Sequence, residues 1–180
     1  MDLNLIIGNL STLLAMGTNA VSSTRKTARG VLFWQSLAQV VYLVSAIVLR
    51  GYSAAVQNVV GIARNVVAIS NKKSKVLEWS LTIAGVVLGI AFNNRGLMGL
   101  LPVIGNLQYT LAIFRFKDNE KVLKISFLIS VACFAVFNVV LYNFVGAASD
   151  TVVIITTTVV LIRDGIRKAR QQKTNKENQE

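Results

Sequence analysis

The chain has 180 residues, of which 53% are hydrophobic and only 15% are charged. A soluble domain carries charge on about a quarter of its residues, so this composition excludes an ordinary soluble domain and favours a polytopic protein of the lipid bilayer. The net charge is +11, but the basic residues lie between apolar runs rather than on one face, which argues against a nucleic-acid partner.

Seven apolar runs follow one another along the chain. They cover residues 3–20, 31–49, 53–69, 76–92, 96–114, 125–144 and 151–162, and the last run extends back to residue 147. A helix needs roughly 20 residues to cross the hydrocarbon core, and shorter spans occur. Because the runs are too long for barrel strands, the sequence predicts an all-α membrane protein with seven transmembrane helices.

The lysines and arginines predict the orientation of these helices. Four segments contain 16 of the 19 basic residues, and they fall on one side of the membrane if the chain crosses seven times. The 16 are Arg25, Lys26 and Arg29; Lys72, Lys73 and Lys75; Arg115, Lys117, Lys121 and Lys124; and Arg163, Arg167, Lys168, Arg170, Lys173 and Lys176. Because cytoplasmic segments carry the excess of basic residues, we expect the N-terminus outside and the C-terminus in the cytoplasm.

Two stretches of sequence recur and predict an internal repeat. The letters IGNL stand at residues 7–10 and again at 104–107, an offset of 97. At an offset of 93, SAAVQNVVGIARNVVAI (53–69) matches GAASDTVVIITTTVVLI (146–162) at eight identical positions, and Gln57 meets Asp150. The alternative explanation is chance similarity between runs rich in Val, Ile and Ala.

The repeat divides the chain into four parts. Residues 1–70 form a first three-helix unit, 71–95 a linker helix, 96–166 a second three-helix unit, and 167–180 a polar cytoplasmic tail. We expect this tail to be disordered beyond Lys173. The linker helix keeps both units parallel, an arrangement found in transporters with a substrate site near the bilayer midplane.

Three runs, GLMGLLPVIGNLQYTLAIF, FNVVLYNFVGAASD and GIARNVVAI, resemble the YgjV-like bacterial inner-membrane proteins, and the resemblance covers almost the whole chain. The three-one-three plan also resembles that of the SWEET sugar facilitators, their PQ-loop relatives and the PnuC-type vitamin-precursor transporters. These resemblances imply a multi-pass inner-membrane protein with a transporter fold. The chain departs from the SWEET and PQ-loop patterns because it has no Pro-Gln dipeptide and only one proline, Pro102. Of the SWEET asparagines on helices three and seven, Asn65 matches and Thr158 does not.

Polar side chains inside the apolar runs mark the candidate substrate site, because such groups are costly in hydrocarbon and face the bundle interior. The candidates are Asn9, Asn58, Arg64, Asn65, Asn106, Tyr109, Asn138, Thr157 and Thr158. The alternative is that they join helices through hydrogen bonds, which we favour for Asn9 and Asn106 beside their glycines. Substrate contact is favoured for Asn65 and Thr158.

Arg64 lies at mid-depth, about 16 Å into its helix at 1.5 Å per residue. The sequence favours two roles for Arg64 equally. One is contact with an anionic or carbonyl-bearing solute in a hydrated cavity, and the other is a structural bond to another helix. Asp150 is expected near the outer surface, and it becomes a partner for Arg64 if helix seven lies further inward. With no acidic residue at mid-depth, the sequence argues against proton coupling and favours facilitated diffusion.

The sequence therefore predicts a small-solute transporter or facilitator that alternates access between two three-helix units. The solute is a sugar, a nucleoside or vitamin precursor, or a small anion, and the pocket is expected to include Arg64, Asn65 and Thr158. The second hypothesis is a non-transporting accessory or sensory protein of the same fold. An enzyme is not expected, because the chain has no histidine and no ATP-binding motif. No cofactor or metal is expected, and a homo-oligomer is compatible with the sequence.

Overall fold

The computed structural model describes residues 2–23, 28–70, 74–116 and 119–177. These residues form seven α-helices and one short 3-10 helix. The α-helices are α1 (Leu3–Ser23), α2 (Ala28–Val48), α3 (Tyr52–Ile69), α4 (Lys75–Ala91), α5 (Leu101–Phe116), α6 (Glu120–Val140) and α7 (Phe144–Glu177), and the 3-10 helix (Gly96–Leu100) leads into α5. The all-α prediction is confirmed.

Three helical segments are long and apolar enough to cross a membrane. They are Gly96–Phe116, Lys121–Val140 and Phe144–Arg167, and Leu32–Val48 is a shorter apolar helix. Large apolar side chains are exposed on the outer faces of all seven helices, with Leu14 of α1 at 69% and Val152 of α7 at 59%. Exposed apolar area on this scale marks a surface whose natural solvent is lipid.

The helices pack in chain order around a ring. The pairs α1–α2, α2–α3, α5–α6 and α6–α7 have the most extensive interfaces. Two further contacts, between α3 and α5 and between α1 and α7, close the ring. Because α3 and α5 touch directly, α4 lies outside the ring, where it packs against both of them.

Two tight turns, from α2 to α3 and from α6 to α7, share one backbone geometry. Arg50 and Tyr142 adopt the left-handed conformation, with φ of 56° and 57°. Few non-glycine residues do so. The next residue in each turn donates its N–H to a carbonyl five residues back: Gly51 to Ala46 at 2.7 Å, and Asn143 to Asn138 at 2.9 Å. This bond ends a helix in the Schellman manner, and the two turns match at an offset of 92 residues.

The seventh helix differs from the prediction at both ends. It begins at Phe144, where the Asn143 side chain accepts a hydrogen bond from Gly146 N at 3.1 Å and so caps the first turn. It continues to Glu177, four residues beyond Lys173, the point after which the sequence predicts a frayed or disordered tail. The tail is rich in Lys, Arg and Gln, which have high helix propensity.

Part of the charge pattern behind the orientation prediction cannot be placed in this fold. Arg25, Lys26, Lys72, Lys73 and Lys117 lie outside the described residues.

Two glycines permit close approach between consecutive helices. A methyl group added at Gly8 of α1 would lie 2.5 Å from Leu49 Cδ2 at the end of α2. One added at Gly105 of α5 would lie 3.0 Å from Cys133 Cβ and 3.1 Å from the Ser130 carbonyl oxygen of α6. In both places a side chain would have to displace the neighbouring helix.

Replacing Gly105 with leucine should therefore destabilise the protein. We expect Gly105→Leu to lower the free energy of unfolding by about 1–3 kcal/mol, because the added side chain overpacks the α5–α6 interface. The matched control is Gly17→Leu in α1, where an added Cβ meets nothing within 4 Å. Thermal unfolding in detergent should show a lower midpoint for the first variant only, and equal midpoints would contradict this view of the interface.

Candidate functional site

A cavity of about 200 Å³ lies inside the ring of helices. Its wall carries amide, hydroxyl and aromatic side chains, together with the Arg64 guanidinium and the Asp150 carboxylate. A water molecule occupies about 30 Å³ in the liquid, so the space holds roughly seven waters or one small solute. The centre of the ring is a polar chamber rather than a dry, glycine-packed core.

Apolar side chains close the cavity at the end next to the two turns. Ala46, Leu49, Ala54, Ala55, Phe137 and Leu141 form one buried cluster, which we call the apolar plug. Leu49 and Leu141, 5% and 4% exposed, come from corresponding places in the two turns. At the other end of the cavity, Gln35 of α2 and Phe127 of α6 are only half-buried. The cavity is therefore closed where α3 and α7 begin and accessible from the opposite end.

Arg64 is buried between α3 and α5. It is 5% exposed, and its Nη1 donates to Asn106 Oδ1 and to Thr110 Oγ1, both at 3.1 Å. Its guanidinium carbon lies 5.1 Å from the centre of the Tyr109 ring, within cation–π range. Nη2 makes no hydrogen bond to a described residue, and Nε is buried without a partner and does not reach the cavity. The structural bonds are thus present, and Nη2 keeps donors without a described partner on a residue that lines the cavity.

A chain of side-chain hydrogen bonds extends from Arg64 to α4. Asn106 accepts from Arg64 and donates its own Nδ2 to Gln57 Oε1 at 2.7 Å. Gln57 in turn donates Nε2 to the Gly85 carbonyl oxygen of α4 at 2.8 Å. All donors in this chain point the same way, so each bond polarises the next one. The chain joins α3, α4 and α5.

On the opposite side of the ring, Asn9 joins α1 to the turn before α7. Its Oδ1 accepts from the Val145 N–H at 3.0 Å, and its Nδ2 donates to the Leu5 and Tyr142 carbonyl oxygens at 2.9 and 3.3 Å. Both ends of the amide are occupied by backbone groups. Asn9 is therefore a structural residue in this conformation.

A second polar network lies beside Asn9 and reaches the cavity. Asn143 Nδ2 donates to Thr12 Oγ1 and to Asn138 Oδ1, both at 3.0 Å. The Thr12 hydroxyl lies 2.8 Å from that of Ser45. Asn138 Nδ2 donates to Asp150 Oδ2 at 2.9 Å. These bonds connect α1, α2, α6 and α7.

Asp150 stands on the cavity wall, not near the outer surface as the sequence predicted. The reason is that α7 begins at Phe144, earlier than the predicted run, so Asp150 already lies almost two turns inside the helix. Tyr42 of α2 and Ser149 lie beside it. Among the described residues, no lysine or arginine pairs with it. The argument against proton coupling from a lack of buried acids therefore no longer holds.

Five of the nine predicted site residues line the cavity. They are Asn58, Arg64, Asn106, Tyr109 and Asn138. Asn9, Asn65, Thr157 and Thr158 are not on its wall. Consecutive helical residues point about 100° apart, and here Arg64 lines the cavity while Asn65 turns away from it.

Asn65 and the two threonines lie away from this cavity. Asn65 is 3% exposed and faces α2, where its Nδ2 lies 3.4 Å from Gln39 Oε1. Thr157 and Thr158 lie a turn past Val153, the last residue of α7 on the wall. The cavity uses only the early turns of α7, so these threonines are half-buried elsewhere.

The nine predicted site residues leave out other polar groups of the wall, among them Tyr42, Asn143 and Asp150. One signal was available for Asp150, because the repeat alignment pairs it with Gln57, and both positions make buried side-chain bonds in the structure. Nothing in the local sequence marks Tyr42 or Asn143, which reach the cavity through the packing of α2 and the turn before α7.

The family model described as bacterial inner membrane protein, Imp-YgjV, matches residues 6–168. The chain belongs to this family. The predicted resemblance to YgjV-like proteins is confirmed, and the chain is a helical protein of the bacterial inner membrane. The match includes every cavity-lining residue of this YgjV-family protein. No curated protein and no solved structure matches the chain.

Removing the Asn106 amide should destabilise the protein more than removing a locally bonded one. Asn106→Leu leaves Gln57 Oε1 without its donor and Arg64 Nη1 with Thr110 alone. Each buried polar group left unpaired costs about 1–3 kcal/mol.

The matched control is Asn58→Leu, because Asn58 donates only to the Ala54 carbonyl oxygen of its own helix, at 3.0 Å. Thermal unfolding of both variants in detergent measures the difference. If the two midpoints fall equally, the hydrogen bonds from Arg64 through Asn106 to Gln57 do not hold α3 to α5.

Proposed function

We propose that this YgjV-family protein is a small-solute transporter or facilitator that works by alternating access. The observation that carries the proposal is the cavity, which is polar, accessible from one end and closed at the other by the apolar plug. A protein that only packed its helices together would fill such a space with side chains, because protein interiors are close-packed. A chamber open to one side is one of the two states that alternating access requires.

We further propose that all seven helices span the membrane as two parallel three-helix units joined by α4. The matched left-handed turns at Arg50 and Tyr142 support this, because backbone geometry does not follow from shared Val and Ile content. The two asparagines of the IGNL copies are also reciprocal. Asn9 of α1 bonds to the start of α7, and Asn106 of α5 bonds to Gln57 and Arg64 of α3. Each first helix thus bonds to the third helix of the other unit.

The apolar plug suggests where the movement takes place. It is made from the corresponding Leu49 and Leu141 of the two units, so moving the units apart at this end opens it. With the N-terminus outside, as the basic residues favour, the plug faces the periplasm and the cavity opens to the cytoplasm. The proposed role needs no covalent chemistry, cofactor or metal.

Cysteine labelling tests this proposal. In a Cys133→Ser background, Ala46→Cys places a thiol in the plug, at a position that is 6% exposed and also lines the cavity. Alternating access predicts labelling by a membrane-impermeant thiol reagent both in spheroplasts and in inverted vesicles. A static accessory protein predicts labelling from the cavity side alone, and that result would contradict transport.

Two control variants make the labelling interpretable. Asn94 is exposed, and its side chain donates to the Arg50 carbonyl oxygen in the turn beside the plug. Asn94→Cys therefore reports the plug side of the membrane. Gln35→Cys reports the open end. If Asn94→Cys reacts in inverted vesicles rather than in spheroplasts, the proposed orientation is reversed, while the two-sided test of Ala46→Cys still decides alternation.

A further inference from the structure

The cavity wall carries one positive and one negative side chain, on different helices. Arg64 belongs to α3 and Asp150 to α7. The hydrogen-bond partners of Arg64 are the neutral Asn106 and Thr110, and that of Asp150 is the neutral Asn138. The two do not pair with each other, nor does either pair with another charged side chain in the described ranges.

Each charged group also retains unused hydrogen-bonding capacity. On Arg64, both hydrogen bonds to described residues come from Nη1, so Nη2 donates to no described residue. On Asp150, the only hydrogen bond to the described residues is the one that Oδ2 accepts from Asn138. A buried charge is stable when an opposite charge and well-placed hydrogen bonds compensate it. A bound ligand can supply what the protein does not.

The two charges lie at different depths. Arg64 is twelve residues after the start of α3 at Tyr52, and Asp150 is six residues after the start of α7 at Phe144. At 1.5 Å per residue they lie about 18 Å and about 9 Å from the ends of their helices. Leu49 and Leu141 each precede one of these helix starts by three residues and pack in the same apolar plug, which places the two starts at a similar depth. The charges are therefore separated along the cavity by about 9 Å, and Val131 and Phe134 of α6 provide apolar wall.

We propose that the cavity binds a zwitterionic solute, with a carboxylate at Arg64, an ammonium group at Asp150 and an apolar chain of several bonds between them. This inference rests on the proposed substrate cavity and names the class of its solute. A simple anion would leave Asp150 uncompensated and be repelled by it, and a simple cation would meet the same difficulty at Arg64. A solute with both charges satisfies both side chains at once.

A chain-length series of zwitterions tests the proposal in purified, detergent-solubilised protein. Glycine, 4-aminobutyrate and 6-aminohexanoate are compared by isothermal titration calorimetry and thermal shift. We expect binding to strengthen with chain length. The matched controls are N-acetyl-6-aminohexanoate, which lacks the positive charge, and 6-aminohexanamide, which lacks the negative one. Each should bind about tenfold or more weakly than 6-aminohexanoate. Equal binding of the three, or no binding of any zwitterion, would overturn the inference.

Two substitutions assign the ends of the solute. Asp150→Asn keeps an oxygen that can accept from Asn138, so it removes charge with little change in shape. This variant should bind 6-aminohexanoate about tenfold more weakly than the parent protein, and no more tightly than it binds the N-acetyl derivative. Arg64→Lys keeps the charge, but a lysine ammonium group does not reproduce both of the Nη1 hydrogen bonds to Asn106 and Thr110. Arg64→Lys should still bind 6-aminohexanoate more tightly than 6-aminohexanamide. If Asp150→Asn still binds 6-aminohexanoate more tightly than its N-acetyl derivative, the assignment of the ammonium group to Asp150 is refuted.

The outcome is separable from the transport proposal. Calorimetry measures binding whether or not the protein moves, and the labelling of Ala46→Cys measures alternation without any solute. Zwitterion binding with one-sided labelling keeps the site and rejects transport. Two-sided labelling without zwitterion binding keeps transport and rejects this class of solute.

Discussion

The burial of one guanidinium is the constraint on which the rest of the structure depends. A charge buried away from water is costly unless side chains of the protein solvate it. Arg64 meets this need with Asn106 and Thr110, and both lie on α5. Burial of the charge therefore requires α3 and α5 to touch, which moves α4 to the outside of the ring, where Gln57 holds it through the Gly85 carbonyl oxygen.

The opposite junction of the ring is built from neutral groups. There the Asn9 amide bonds to the backbone before and within α7, and Asn143 connects Thr12 to Asn138. The chamber lies between these two polar junctions. The apolar plug closes one end of it by side-chain packing, beside the Asn9 and Asn143 hydrogen bonds that join α1 to the start of α7.

One arginine serves two roles in this arrangement, and these roles do not compete. Nη1 is used in the bonds to α5, which fix the guanidinium plane, and Nη2 makes no hydrogen bond to a described residue. A guanidinium held in this way loses little freedom when a carboxylate binds, which favours recognition by a preorganised group. Asp150 is held similarly by Asn138. The wall thus presents a basic and an acidic side chain on different helices.

By itself the sequence determined that this is an all-α membrane protein, where most of its helices begin and end, and which family it resembles, because apolar run length and short local motifs encode these properties. It also identified Arg64 and Asn106 as buried polar groups, although their mutual bond joins residues 42 positions apart. Only the tertiary structure decided that Asn65 turns towards Gln39 and that Asp150 reaches the cavity. The rotation of a helix about its axis, and the depth at which it starts, depend on its neighbours. The spacing of polar residues along one helix fixes neither its rotation nor its depth.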